Sequence, residues 1–206
     1  MPDKRSLTLR AAALLATGAA ALALTACGGG RSHDAAGHGG HSPATATVSP
    51  GQPNAADVAF ATGMIPHHRQ AVEMAGLAPD RAASAEVKRL AAEIEKAQDP
   101  EITTLSGWLG SWGEDVPAEG AAGGHAAHGG GGMMSAEDMA SLREASGPAF
   151  DEAFLRMMIE HHEGAVAMAG TERADGSYPP ARRMAADIID AQSSEIARMK
   201  DLLGRN

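Results

Sequence analysis

The thirteen residues 64–76, MIPHHRQAVEMAG, return at 158–170 as MIEHHEGAVAMAG, an offset of 94. The match runs well past the motif. Asp57 falls on Asp151, Phe60 on Phe154, Ala97-Gln98 on Ala191-Gln192, Glu101-Ile102 on Glu195-Ile196 and Leu109 on Leu203, without a gap. Chance does not hold one register from 57 to 109 against 151 to 203. The chain contains an internal duplication, so its architecture has to be one that two copies of a single unit can build.

Each copy reads as a helical hairpin. The chain is rich in alanine, methionine, leucine and glutamate, which favours helices. Asn54 with Asp57 predicts a capping-box start, and Gly76 and Gly170 predict C-terminal stops. The second helix of each half is expected near Asp80 or after Pro179-Pro180, the last one ending at Gly204. Ser135 with Asp138 predicts a short extra helix stopping near 146–148. Pro66 and Pro100 fall inside the first-half helices and should kink them, where the second half has Glu160 and Ser194. Two such hairpins most naturally make an all-α, antiparallel four-helix bundle around a pseudo-twofold axis.

At 100° per residue, Phe154, Met158, His161, Ala165 and Met168 share one stripe, with His162 and Ala169 on its shoulder. Met158 precedes the histidine pair by one turn, as Met64 precedes His67 and His68. On the last helix the predicted apolar stripe is Met184, Ile188, Ala191, Met199 and Leu202, with Glu195 in its middle and Gln192 beside it. The first copy repeats this as Ile94, Ala97, Glu101, Leu105 and Trp108, flanked by Gln98. A carboxylate on a core face is costly unless it is paired or holds a cation. The anomaly stands at both equivalent positions. Candidate metal ligands are therefore Met64, His67, His68, Met158, His161 and His162, with Glu101 and Glu195, supported by Gln98, Gln192, Met74 and Met168. Thioether favours Cu(I), and imidazole accepts copper in either state. Carboxylate with imidazole also suits Zn, Fe or Mn. The Glu-x-x-His pattern of di-iron bundles is missing, because Met64 and Met158 stand three residues before the first histidines. Against all metal readings, buried His–Glu pairs can satisfy one another, and methionine at helical spacing is commonly core filler.

The first 26 residues read as an export signal. Lys4, Arg5 and Arg10 precede the apolar run 11–26, and LTAC (24–27) resembles a lipobox that would lipidate Cys27, the only cysteine. Residues 27–53 read as a Gly/Ser/Pro tether carrying His33, His38 and His41. The bundle would occupy 54–206, with repeat 1 at 54–112, a His/Met/Gly loop at 117–134 holding His125, His128, Met133 and Met134, and repeat 2 at 148–204. Loss of residues 1–26 removes three basic residues and one acidic residue, taking the formal net charge from −9 to −11. That sign argues against nucleic acid and against electrostatic binding to an anionic lipid surface, leaving the lipid anchor as the membrane contact.

The residues FxxxMIxHHxxAVxMA, with AQxxEI a helix later, resemble the bacterial family known as domain of unknown function 305 over roughly 54–206. The resemblance implies a ferritin-like helical bundle and, as in some exported members, copper binding and copper resistance. It places that role on Met64, His67, His68, Met158, His161 and His162, with Glu101 and Glu195 contributing. The reading that results is an exported, lipid-anchored protein on the outer face of the cytoplasmic membrane. It would capture, buffer or deliver copper and exchange it with a copper-handling partner protein. Two other readings stay open: a di-metal oxidase in a ferritin-like bundle, and a metal-free scaffold or sensor lipoprotein.

Overall fold

The computed structural model of the chain describes residues 51–119 and 131–205. The expected signal peptide and tether, with Cys27, His33, His38 and His41, and the loop residues His125 and His128 lie outside the described residues. Among the described residues six helices follow in order: α1 (Ala55–Gly76), α2 (Ala78–Arg81), α3 (Ala85–Trp112), α4 (Ala136–Glu144), α5 (Pro148–Asp175) and α6 (Pro179–Arg205). The first hairpin is α1 against α3 and the second α5 against α6, and the two join where α1 packs on α5. Among the described residues, no strand interrupts this bundle beyond one isolated bridge between Ala82 and Gly147. No described helix is long and apolar enough to cross a membrane.

The helix starts follow from local chemistry. Asn54 and Asp57 form a full capping box on α1, as Ser135 and Asp138 do on α4. Two expected boundaries are corrected. Gly76 closes α1, but Gly170 does not close α5, which continues to Asp175. The reason lies just beyond the glycines. Pro79 cannot extend α1, whereas the matching Arg173 is a good helix former. The segment around Asp80 forms the four-residue α2, and the long helix begins at Ala85 with the Ser84 side chain accepting from the Glu86 and Val87 N–H groups. Pro66 and Pro100 both lie inside helices, as expected.

The duplication also dictates how the hairpins are fastened. Asp57, at the start of α1, accepts the N–H groups of Ser177 (3.1 Å) and Tyr178 (2.9 Å) in the α5–α6 turn. Asp151, at the start of α5, accepts those of Ala83 (3.1 Å) and Ser84 (2.8 Å) ahead of α3. Ser177 and Tyr178 are the counterparts of Ala83 and Ser84 at the offset of 94. Each hairpin's leading aspartate thus holds the other hairpin's turn. Both aspartates are buried, so these donors offset a desolvation cost that would otherwise be prohibitive.

The core divides into two apolar clusters. One gathers Met74, Leu90, Ile94, Phe150, Phe154, Met158 and Met199, together with Met139 and Leu142 from α4. The other gathers Phe60, Met64, Ile65, Leu105, Leu109, Ala181 and Ile188. Along every long helix a polar stretch separates the two: His67–Gln70, Gln98–Glu101, His161–His162 and Gln192–Glu195. Complete burial of each large side chain contributes about 1.5–3 kcal/mol. The two greasy ends therefore carry the stability that lets the middle layer be polar.

Candidate metal centre

The polar layer is built from one turn of each long helix. His67, His68, His161 and His162 are all buried, none more than 2% exposed. His68 Nε2 lies 2.6 Å from Glu101 Oε2, and His162 Nε2 lies 2.7 Å from Glu195 Oε2. The duplication thus places the same imidazole–carboxylate pair on both sides. Glu101 and Glu195 were expected on the core face. Instead their side chains keep 25% and 21% of their surface and reach the histidines from the rim. The expected α3 and α6 stripes are also shifted. Ala97 and Ala191 are exposed, while Gln98 and Gln192 are buried, and Met184 and Trp108 are half-buried. Alanine loses little by facing water, whereas the glutamines extend their amides into a layer that is already polar.

His67 and His161 meet across the pseudo-twofold axis, with ring centroids 3.8 Å apart and planes tilted by 39°. Burial pushes His67 down to about 3, and the nearby His68 and His162 add to this against the opposing Gly131 carbonyl. Burial, reinforced by His67, His162 and His68 and opposed by the His67 backbone, holds His161 well below the ordinary imidazole value. Both rings are therefore neutral at physiological pH, which is the form that ligates metal.

The hydrogen bonds settle which nitrogen is free. A carboxylate or carbonyl oxygen can only accept, so His68 Nε2 donates to Glu101, His162 Nε2 to Glu195 and His67 Nε2 to the Gly131 carbonyl at 2.8 Å. In the neutral His67 ring this leaves the lone pair on Nδ1, and in His68 and His162 Nδ1 is likewise the nitrogen turned away from the acceptor. Nδ1 of His67, His68 and His162, and both ring nitrogens of His161, are buried without a partner, as are Gln98 Oε1 and Gln192 Oε1. So many unpartnered buried polar atoms in one layer are unusual for a purely structural core.

Met64 and Met158 are fully buried one turn before the histidine pairs, each at the inner edge of its own apolar cluster. Met74 is buried in the first cluster. Met168 packs half-buried against the second, its sulfur near Gly63. Among the described residues, no three His, Cys, Asp or Glu side chains form a group that could hold a metal ion. A metal in this layer therefore needs a thioether of Met64 or Met158, or a glutamine carbonyl, beside the imidazoles. The donor set is soft and neutral, which fits copper better than a hard cation.

Three features escape a reading of the sequence. Met134 is buried and its backbone is tied to Gln70, which brings residues 131–134 onto the histidine layer. Gly164 is buried beneath the same segment. Glu172 is buried beside Asp57, and neither of its oxygens meets an N–H or O–H donor. Burial, then the hydrogen bond and negative charge of Asp57, push Glu172 up to about 8. Asp57 is itself held below 3.8: burial would raise it, but the donors at Asn54, Tyr178 and Ser177 outweigh that. The available signal was mismatch between the copies, since Gln70 faces Gly164 and Ala78 faces Glu172 in an alignment that otherwise agrees.

A model of the family described as domain of unknown function (DUF305) matches residues 57–203. A putative secreted DUF305 protein from Streptomyces coelicolor is 34% identical, covering 73% of this chain and 93% of its own, with a TM-score of 0.65. A DUF305 fragment from Deinococcus radiodurans is 33% identical, covering 74% and 98%, with a TM-score of 0.67. CopM in its Cu(II)-bound form is 34% identical, covering 72% and 96%, with a TM-score of 0.64, and CopM structures bound to Cu(I) and Ag also match. No protein of curated function matches the chain.

Proposed function

We propose that this chain, which belongs to the DUF305 family, is an exported, lipid-anchored protein that captures copper and buffers it or passes it on. The observation that carries the reading is the set of four buried imidazoles with unpartnered Nδ1 atoms beside two buried methionines. The likeness to CopM, solved with Cu(I), Cu(II) and Ag, supports it. Neutral nitrogen and thioether donors suit Cu(I), and release by ligand exchange requires no substrate turnover. Glu101 and Glu195 then act behind the ligands, each holding a histidine in the Nε2–H tautomer with Nδ1 presented to the metal. Likeness to a secreted relative supports export, and attachment through Cys27 is part of the proposal.

The test is metal content of the purified mature protein after exposure to Cu(I), Cu(II), Zn(II) and Fe(II), beside a variant with His67, His68, His161 and His162 changed to alanine. The wild type should retain copper in preference to the others, and the variant should lose it. Equal copper in both would end the bundle site. It would then favour the metal-free reading, in which the two His–Glu pairs are simply a satisfied core network. Oxygen consumption on adding Fe(II) would instead favour a di-metal oxidase.

A further inference from the structure

Residues 131–134 cross the histidine layer as a strap. Gly131 carbonyl oxygen accepts from His67 Nε2 at 2.8 Å. Three residues later, Met134 N–H donates to Gln70 Oε1 at 2.7 Å, and Gln70 Nε2 donates back to the Met134 carbonyl at 2.9 Å. This reciprocal pair is buried, and its two partners are 64 residues apart in sequence. The other side of the passage is open for a different reason. A Cβ on Gly164 would stand 1.8 Å from Gly131 oxygen and 2.3 Å from its carbonyl carbon. A Cβ on Gly132, which sits at φ +76°, would stand 2.4 Å from the Glu160 carbonyl oxygen. The strap lies so close to α5 that only glycine fits on both surfaces.

Gln70 and Gly164 are the same position of the duplicated motif, 94 residues apart. One copy grips the strap and the other clears its path, within a motif whose histidines, methionines and alanines agree. The consequence is chemical. His68 and His162 have their tautomer set by a glutamate each. His67 has its tautomer set by the strap, whereas the strap offers His161 no acceptor.

We propose that Gln70 and Gly164 are positioning residues that hold the 131–134 strap as the orienting acceptor behind His67. The duplicated site is thereby made unequal, with the repeat-1 half preorganised for metal and His161 given no orienting acceptor by the strap. The strap does for His67 what Glu101 does for His68: it occupies Nε2–H and presents the Nδ1 lone pair. This rests on the copper reading above for its metal consequence, but the tautomer does not.

Gly164→Ala is the sharpest probe. It improves the intrinsic helix propensity of α5 while its methyl must push the strap off by more than an ångström. In the metal-free full chain, nitrogen-15 NMR of the imidazoles should show His67 as the Nε2–H form in the wild type and as a tautomer mixture in the variant. Gly164→Ala should weaken Cu(I) affinity by about 10–100-fold, the usual cost of losing a partner behind a metal-bound histidine. Gln70→Ala, which releases the strap without adding bulk, should act in the same direction. Unchanged His67 tautomer in both variants, or unchanged Cu(I) affinity once the tautomer has shifted, would overturn the proposal. If the wild type takes up no copper while the tautomer shifts as expected, the copper reading fails and the positioning role stands.

Discussion

The two halves of this bundle descend from one hairpin, and they agree and disagree in an instructive way. His68–Glu101 and His162–Glu195 are near copies, 2.6 and 2.7 Å long and separated by 33 residues in each half. Asp57 and Asp151 hold opposite turns through matched pairs of N–H groups. The first histidines of the pairs are not alike, because a single strap binds His67 and passes His161 by. Pairs that contact only the duplicated helices stay symmetric. Symmetry fails where the chain joining the copies, present once, lies on them.

The largest test of this comparison is in the cores. Phe154→Ala should cost about 3–5 kcal/mol in denaturant unfolding, since the side chain is fully buried and stacked on Phe150. The equivalent Phe60→Ala should fall at the lower end of that range, because its cluster has no α4 to close over it. A reversed order would break the link between α4 and the stability of that end.

Next come the rim carboxylates. Glu101→Leu and Glu195→Leu each strand a buried imidazole N–H, at about 1–3 kcal/mol. The two costs should agree within experimental error in metal-free protein. A clear difference would show that the symmetry of the distances does not extend to the energies.

A further effect depends on pH and belongs to one half only. Glu172 binds its proton more tightly folded than at its ordinary value of 4.5, being raised to about 8. The stability this contributes is complete below about pH 4.5 and is lost as pH rises through about 8. Glu172→Gln, which cannot ionise, should therefore gain stability relative to the wild type across that window, read from urea midpoints at several pH values. A constant difference would show that Glu172 does not titrate there. The smallest effect is at the surface. Arg198→Ala removes the exposed ion pair between Arg198 and Glu93 across α6 and α3 and should cost no more than about 1 kcal/mol, less at high salt.

Much of the fold was legible because duplication tests each residue twice. The capping box at Asn54, the short helix after Ser135 and the burial of Met64, Met158 and all four histidines follow from spacing and cap chemistry alone. The stop at Gly170 was misread because glycine permits a helix end without requiring one, while Pro79 does require it. The burial of Gln98 and Gln192 in place of Ala97 and Ala191 was misread because hydrophobicity ranks alanine above glutamine. That ranking does not apply to a side chain entering a polar layer.

The sequence by itself determined a doubled helical hairpin with a Met-His-His set and a Gln-x-x-Glu set in each copy. Those depend on periodicity and local capping, which act within a few residues. Only the tertiary structure decided that the glutamates reach the histidines from the rim, that Nδ1 is the nitrogen left free, and that one strap separates His67 from His161. Each of these depends on which acceptor lies within about 3 Å of a ring nitrogen. That is a property of segments 33 to 64 residues apart, and no local pattern encodes it.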